Sequence, residues 1–381
     1  MKRVFISSGN IVSPLGFSAE ENFKNITEGI SGLQISGNYS FSKEKFCVAS
    51  VNEEKTDHVF SQFENPGNFT KLEKMSIISI AHVLKASGIN LGDKNSLLVY
   101  ATTKGNIDLP DGSSQLKKYD ESRMYLPGML RIISNYFKCA NEPVIVSNAC
   151  ISGLLAILIG KRMLDAGLYK HIVIAAGDIV SEFTLSGFKV FNALSDEPCK
   201  PFDAARKGIN LGEAAAAAAI STEKFSGADE IEIINGASSN DANHISGPSR
   251  NGEGLFQSVM NTIKNFPVDA IDFISAHGTA TPFNDEMEAI AFSRAGLKDV
   301  PLNGLKGYFG HTLGAAGLVE TIISTGASKQ NMLIATKGYE THGVSENIHI
   351  IRKTEKKKIN TFLKTSSGFG GCNASILFSK T

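Results

Sequence analysis

The residue best placed for covalent chemistry is Cys150, within VIVSNACISGLLAILIGKRML (residues 144–164). The β-branched run Val144-Ile145-Val146 predicts a strand, and Leu154, Leu155, Ile157, Leu158, Met163 and Leu164 recur at helical spacing. The pattern changes at Cys150. A thiol there would meet free backbone N–H groups and the positive end of the helix dipole, a setting that lowers the ordinary thiol pKa of ~8.5. A free cysteine is more commonly a small buried hydrophobe. The case for chemistry here rests on what the second half of the chain supplies.

Three later segments have chemical character. SAHGTATPFND (275–285) predicts a strand that delivers His277 into a Gly-Thr turn. LKGYFGHTLGAAGLVE (305–320) holds Lys306, His311 and Glu320 among small residues that allow close approach of backbone or ligand. SSGFGGCN (366–373) suits a turn that offers backbone N–H groups to an oxyanion. Each segment alone reads as a structural turn or a satisfied histidine. Together they place a nucleophile, two imidazoles and an anion-binding turn in one chain.

The surrounding elements alternate. Arg3–Ser7 predicts a strand, and Ser18 with Glu21 a capping box for a helix to about Thr27. Residues 40–66 read as polar and irregular. Thr70–Ala86 is an amphipathic helix with Leu72, Met75, Ile78 and Leu84 near one face. A strand at Leu97–Ala101, a helix at Met124–Phe137 and a strand at His171–Ala176 follow, and Phe183–Arg206 shows poor periodicity. GEAAAAAAI (212–220) has helix propensity but sits between glycines, where a tightly covered strand fits better. From Glu230 the alternation restarts with strands at Ile231–Asn235 and Ile271–Ala276 and helices at Leu255–Asn265, Asp285–Ala295 and Leu313–Lys329. Strands at Ile348–Ile351, Thr361–Thr365 and Ser375–Phe378 close the chain. Two successive α/β sets argue for a duplicated fold with halves at 1–229 and 230–381. Cys150-x-x-Gly153 and His311-x-x-Gly314 echo one another at the start of long helices.

Composition sets the bounds. The 381 residues are 42% hydrophobic, and 38 basic residues balance 38 acidic ones, so no global field points to nucleic acid or a membrane surface. No apolar run is long enough to span a bilayer and no cleavable leader is evident. Five scattered cysteines with no C-x-x-C pair indicate neither a disulfide framework nor a metal site, and a reducing, cytoplasmic setting is expected.

Taken together, SNACISG, KPFDAARKGINLGEAA, DANHISGPS, AHGTATPFND, KGYFGHTLGAAGLVE and GFGGCNAS resemble the β-ketoacyl-acyl carrier protein synthases, condensing enzymes of the thiolase superfamily. The opening FISSGNIVSPLG and TEGISGL fit as well, so the resemblance runs nearly end to end. It implies an α/β thiolase fold of five layers, αβαβα, built from two similar halves. The implied reaction loads an acyl group from carrier-protein pantetheine onto Cys150, then decarboxylates a malonyl thioester whose carbanion attacks it. His277 and His311 would stabilise the enolate, and Lys306 near His311 would keep that ring neutral, with Glu320 as its charge partner. The resemblance also places the N–H groups of Cys150 and Phe369 in the oxyanion hole and Asp285 and Glu288 in support. It assigns Phe188, Phe369, Thr279, Thr281 and Gly370 to substrate, with Phe369 as a gate between two channels.

No cofactor or metal is implied, since substrates arrive on the phosphopantetheine arm of acyl carrier protein. Lys71 and Lys74 fall where the family carries a basic carrier-docking segment, interrupted here by Glu73. A homodimer through a sheet edge near His171–Ala176 is the default, and a heterodimer with a chain-length-factor-like subunit is open. Cys372 stands where threonine is usual, Asn192 where arginine is common, and Lys200 and Lys207 flank the PFD segment in place of the usual Arg and Asp. These departures concern acyl specificity and docking, and leave fatty-acid elongation and a polyketide or aryl polyene pathway both open. The competing readings are a chain-length-factor-like partner, which Cys150 opposes, an acyl-CoA thiolase, and a cysteine hydrolase, for which the papain-type context is missing.

Overall fold

The computed structural model describes residues 2–7, 9–36, 44–111, 118–225 and 230–381. Its framework is a mixed sheet of eleven strands: β1 (Phe5–Ile6), β2 (Asn10–Val12), β3 (Ser96–Ala101), β4 (Val144–Val146), β5 (His171–Asp178), β6 (Ala214–Ser221), β7 (Ile231–Asn240), β8 (Phe273–Ser275), β9 (Leu302–Asn303), β10 (Thr361–Gly368) and β11 (Cys372–Lys380). They run β9-β8-β10-β11-β7-β1-β6-β5-β3-β4, with β2 also on β6. The two ends repeat one pattern. β4-β3-β5 are parallel and β6 joins antiparallel, while β9-β8-β10 are parallel and β11 joins antiparallel. Strand β1 pairs with both β6 and β7, and so makes one continuous sheet of the two sets.

Helices build the other layers. Between the two strand sets lie α2 (Ser152–Asp165) and α5 (Ala316–Gln330), each touching strands of both sets. Outside them lie α1 (Lys71–Ser87), against β5 and β6, and α3 (Glu253–Thr262), against β7 and β11. Helix α4 (Pro282–Arg294) packs on α3, completing five layers. The central helices cross at glycines. A Cβ on Gly153 would lie 2.7 Å from the Gly314 carbonyl, and one on Gly317 would lie 2.6 Å from Leu154 N. The echo between the nucleophile and histidine segments is therefore a packing device.

The alanine-rich segment is strand β6, buried throughout between β5 and β1, where only small side chains fit beneath the covering helices. Thr70 and Glu73 form a full capping box for α1. At Ser18 only half of one forms: its hydroxyl accepts from Glu21 N, while the Glu21 carboxylate turns to Phe17 N. Three stretches depart from the sequence reading. Residues 40–66 include a strand at Phe46–Ala49 and a helix at Glu53–Phe60. The region after Phe183 contains a helix, Glu182–Val190. Residues 348–351 form no strand, only a bridge between Ile350 and Leu302. The edge of the first set is β4, because β5 (containing His171–Ala176) is interior, paired on both sides by β3 and β6.

Candidate active site

Cys150 lies between β4 and α2. Ala149 just before it adopts φ 43°, a left-handed conformation that non-glycine residues rarely take and that clusters at functional sites. Ser152 holds the turn by donating to the Ala149 carbonyl (2.6 Å) and accepting from Asn148 N (2.8 Å). The thiol is buried. Helix α2 starts two residues later, and the expected lowering of the thiol does not prevail. Burial and the neighbouring Cys372 thiol push Cys150 up to about 12, against the opposing pull of Lys306 and of the Phe369 N–H directed at the sulfur. At rest the group is a thiol.

His277 follows β8 directly and His311 lies on the loop before α5. Their rings meet edge to face with centroids 5.1 Å apart. The Cys150 sulfur and a nitrogen of each ring lie within 4.8 Å of one another. The two strand sets thus deliver one nucleophile and two imidazoles to a single point. Burial and the charge of Lys306 hold both rings well below the ordinary histidine pKa, so both are neutral.

The charge of Lys306 acts on both rings, while its side-chain hydrogen bonds go to His277 and Glu320. Its buried ammonium hydrogen-bonds to His277, at Nδ1 (3.2 Å) and at the carbonyl (2.5 Å), and pairs with Glu320 (2.8 Å). It makes no hydrogen bond to the His311 ring, neither of whose nitrogens has a hydrogen-bond partner among the described residues. Because Nδ1 of His277 accepts from Lys306, the ring proton sits on Nε2. Thiolate and imidazole are donor types that soft metals take, but an ammonium on the His277 ring repels a dication and leaves that nitrogen occupied.

The turn after His277 is held from behind. Glu288 accepts from the N–H groups of His277 (2.8 Å) and Gly278 (2.7 Å), and Asp285 from those of Thr279 (3.0 Å) and Phe202 (2.7 Å). Arg206 of the PFD segment approaches Asp285 to 3.9 Å. Burial raises both carboxyls, Glu288 to about 7. Sequence reading missed two further organisers. Asp178, at the end of β5, accepts from Thr102 Oγ1 (2.8 Å), Thr103 N (2.9 Å) and Gly314 N (2.8 Å), tying the two halves beside His311. Lys364, within β10, is fully buried against Glu320. The signal for each was an isolated charge in a strand of apolar and small residues, which must find partners if buried.

Cys150, His277 and His311 line a cavity of about 450 Å³ together with Phe188, Thr279, Thr281 and Phe369. Phe369 stacks on Phe188 at 5.5 Å and meets Phe191 edge-on at 5.4 Å, so it stands between the thiol and the aromatic wall. The carbonyl of Phe369 lies 3.3 Å from the Cys372 thiol, and a Cβ on Gly368 would come 3.1 Å from Cys150 N. Gly370 is exposed and off the cavity, its N–H donating to the Ile245 carbonyl at 2.7 Å.

The docking expectation fails at Lys71 and Lys74. Lys74 is buried and paired with Asp57, and Lys71, largely covered, pairs with Glu213 at 2.6 Å. Glu73 between them is buried against Arg123 and Asn106. These charges hold α1 to its neighbours and form no free basic patch.

Comparison with known proteins agrees with this architecture. Residues 1–225 match the N-terminal domain of β-ketoacyl synthase, and residues 231–340 match its C-terminal domain. The chain is 26% identical to 3-oxoacyl-[acyl-carrier-protein] synthase 2 of Coxiella burnetii, covering 100% of this chain and 99% of that protein. It is 27% identical to the protein of the same name in Rhizobium meliloti, over 99% and 98% of the two chains. In three dimensions it matches a chain from the complex of a ketosynthase with its chain length factor from Xenorhabdus doucetiae, with TM-score 0.88, 20% identity and coverage of 100% and 98%. A β-ketoacyl synthase from Burkholderia phymatum superposes with TM-score 0.87 and 20% identity over the full length of both chains. The chain has the thiolase fold of these ketosynthases and belongs to the β-ketoacyl synthase family.

Proposed function

We propose that this β-ketoacyl synthase carries out decarboxylative Claisen condensation with Cys150 as the acyl-bearing nucleophile and His277 and His311 as the enolate donors. The observation that carries this reading is the convergence of one thiol and two neutral imidazoles within 4.8 Å on one cavity.

In the first stage the Cys150 sulfur attacks an acyl thioester on pantetheine. A lone thiolate and a lone imidazolium are each disfavoured in this buried site. Formed together they neutralise one another, so the proton passes to a ring as the sulfur attacks. His311, with both ring nitrogens unpartnered among the described residues, accepts it and returns it to the departing pantetheine thiol. The tetrahedral oxyanion is held by the N–H groups of Cys150 and Phe369. In the second stage a malonyl thioester loses CO₂, and negative charge develops on its thioester oxygen. Nε2–H of His277, its tautomer fixed by Lys306, and an N–H of neutral His311 stabilise that charge. The carbanion attacks the Cys150 thioester and expels the sulfur as a thiolate, which takes up one proton from solvent per turnover to return to the resting thiol.

Acyl carrier protein is the partner this chemistry requires, and known ketosynthases of this fold occur in complexes with an acyl-carrier protein and with a chain length factor. The exposed edge β4 supports pairing with a second chain, identical or chain-length-factor-like. The test uses purified protein with acyl- and malonyl-carrier protein. The expected result is an intact-mass gain of one ketide unit, lost in Cys150→Ala, with CO₂ release persisting in Cys150→Gln. Elongation by Cys150→Ala overturns the assignment.

A further inference from the structure

Behind the two histidines lies a buried lysine that the reaction above does not use. Lys364 is fully buried in β10. Its Nζ lies 2.5 Å from Glu320 Oε2, 2.7 Å from the Thr365 carbonyl and 3.2 Å from each of the carbonyls of Ser275 and Ala276. The other oxygen of Glu320 accepts from Lys306. One buried carboxylate therefore faces two ammonium groups, and the cluster keeps a net positive charge away from water. Such a charge is poorly screened, so it acts strongly on its neighbours. The two carbonyls that Lys364 holds are those of the residues immediately before His277.

We propose that Lys364 is a positioning residue for condensation: it fixes the strand end from which His277 projects and, with Lys306, keeps both imidazoles neutral and hydrogen-bond-donating. The proposal rests on the reading of those rings as enolate donors.

Other charges do not cancel this effect. Glu320 lies between the lysines and balances only one of them. Asp285 and Glu288 lie behind the His277 turn, each capped by backbone N–H groups and drawn towards the neutral acid by burial. Asp178, beside Gly314, is capped and raised in the same way. The thiols of Cys150, Cys199 and Cys372 are raised by burial and so uncharged. Asp241 and His244 also line the cavity, where Asp241 accepts from Gly254 N and Ser249 N. Burial lowers Lys364 itself while Glu320 holds its proton, and its charge in turn lowers both rings.

The test compares the parent with Lys364→Met, Lys364→Gln and Lys364→Arg, following CO₂ release from a malonyl thioester across pH and ring protonation by ¹⁵N-histidine NMR. Removing a positive charge eases imidazole protonation. In the Met and Gln variants the acid limb of CO₂ release and the ring titration should therefore move up by about one pH unit, while Arg keeps the parent limb. A uniform fall in rate at every pH with an unmoved limb, the mark of a purely structural lysine, overturns the proposal. So do parent rings that titrate at the ordinary histidine value. If the parent releases no CO₂ at any pH, the condensation reading falls, and the substrate-free ring titration still decides the role of Lys364. If the neutral variants fail to fold, the parent alone decides: a Lys364 amine already neutral at pH 7 by ¹³C-lysine NMR overturns it, and a charged one supports it.

Discussion

His277 and His311 share a charge state but not a setting, and the difference predicts different costs of deletion. His277 is bound on Nδ1 by Lys306, so His277→Ala removes an enolate donor and also one acceptor of a buried ammonium. Neither ring nitrogen of His311 has a hydrogen-bond partner among the described residues, and the ring borders the cavity, so His311→Ala leaves no hydrogen-bonding group unpaired. Each variant should lose about 10²–10³ in decarboxylation rate, the usual cost of one oxyanion donor. Only His277→Ala should also lose stability, by about 1–3 kcal/mol for the disturbed buried network, read by urea unfolding. Equal stabilities would show that the Lys306 contact carries no weight. The sign of the pH effect follows from the same burial. Both rings are lowered in the folded state and ordinary when unfolded, so the unfolded chain binds more protons as pH falls below ~6.5. Their contribution is present above that pH and is lost as acid is added.

At the scale of elements, the active site depends on how closely α2 and α5 cross. A methyl group on Gly317 would meet the backbone of Leu154, one turn from Cys150, with no flexible side chain to yield. Gly317→Ala should therefore destabilise by about 1–3 kcal/mol and lower condensation, because any relief moves Cys150 away from His311. Unchanged thermal unfolding and turnover in this variant would contradict the close-crossing argument. Much of this was legible beforehand: the strand-to-helix switch at Cys150, the two histidine turns and the paired small residues all announce themselves by type and spacing. What periodicity cannot show is which distant residue answers a charge. Lys74 reads as a surface lysine until Asp57, from the unforeseen Glu53–Phe60 helix, is seen beside it. Lys364 and Asp178 lie in strands whose neighbours are buried, and their meaning comes only from residues far along the chain. The helix-end argument for Cys150 was sound locally, but burial outweighs it.

At the scale of the whole molecule, the two ends of the sheet differ. Beyond β9, Leu302 is bridged by Ile350, whereas no described strand covers the outer side of β4. Val144 and Ile145 there are only half-buried. An open edge of half-buried apolar residues is a site for pairing with another chain, and two copies meeting there about a two-fold axis form a closed dimer. The edge is also four residues from the nucleophile, with only Ser147, Asn148 and Ala149 between. Pairing across β4 should therefore steady the Ala149 turn, whose positive φ needs surrounding structure to hold it. The expected outcome is a dimer by light scattering at micromolar concentration, with amide exchange at 144–146 slowing as concentration rises. On dilution, specific activity should fall together with the dimer fraction. A monomer that stays fully active, with fast exchange at 144–146 at every concentration, would show that β4 is not a pairing edge and that the nucleophile turn is held by its own half alone.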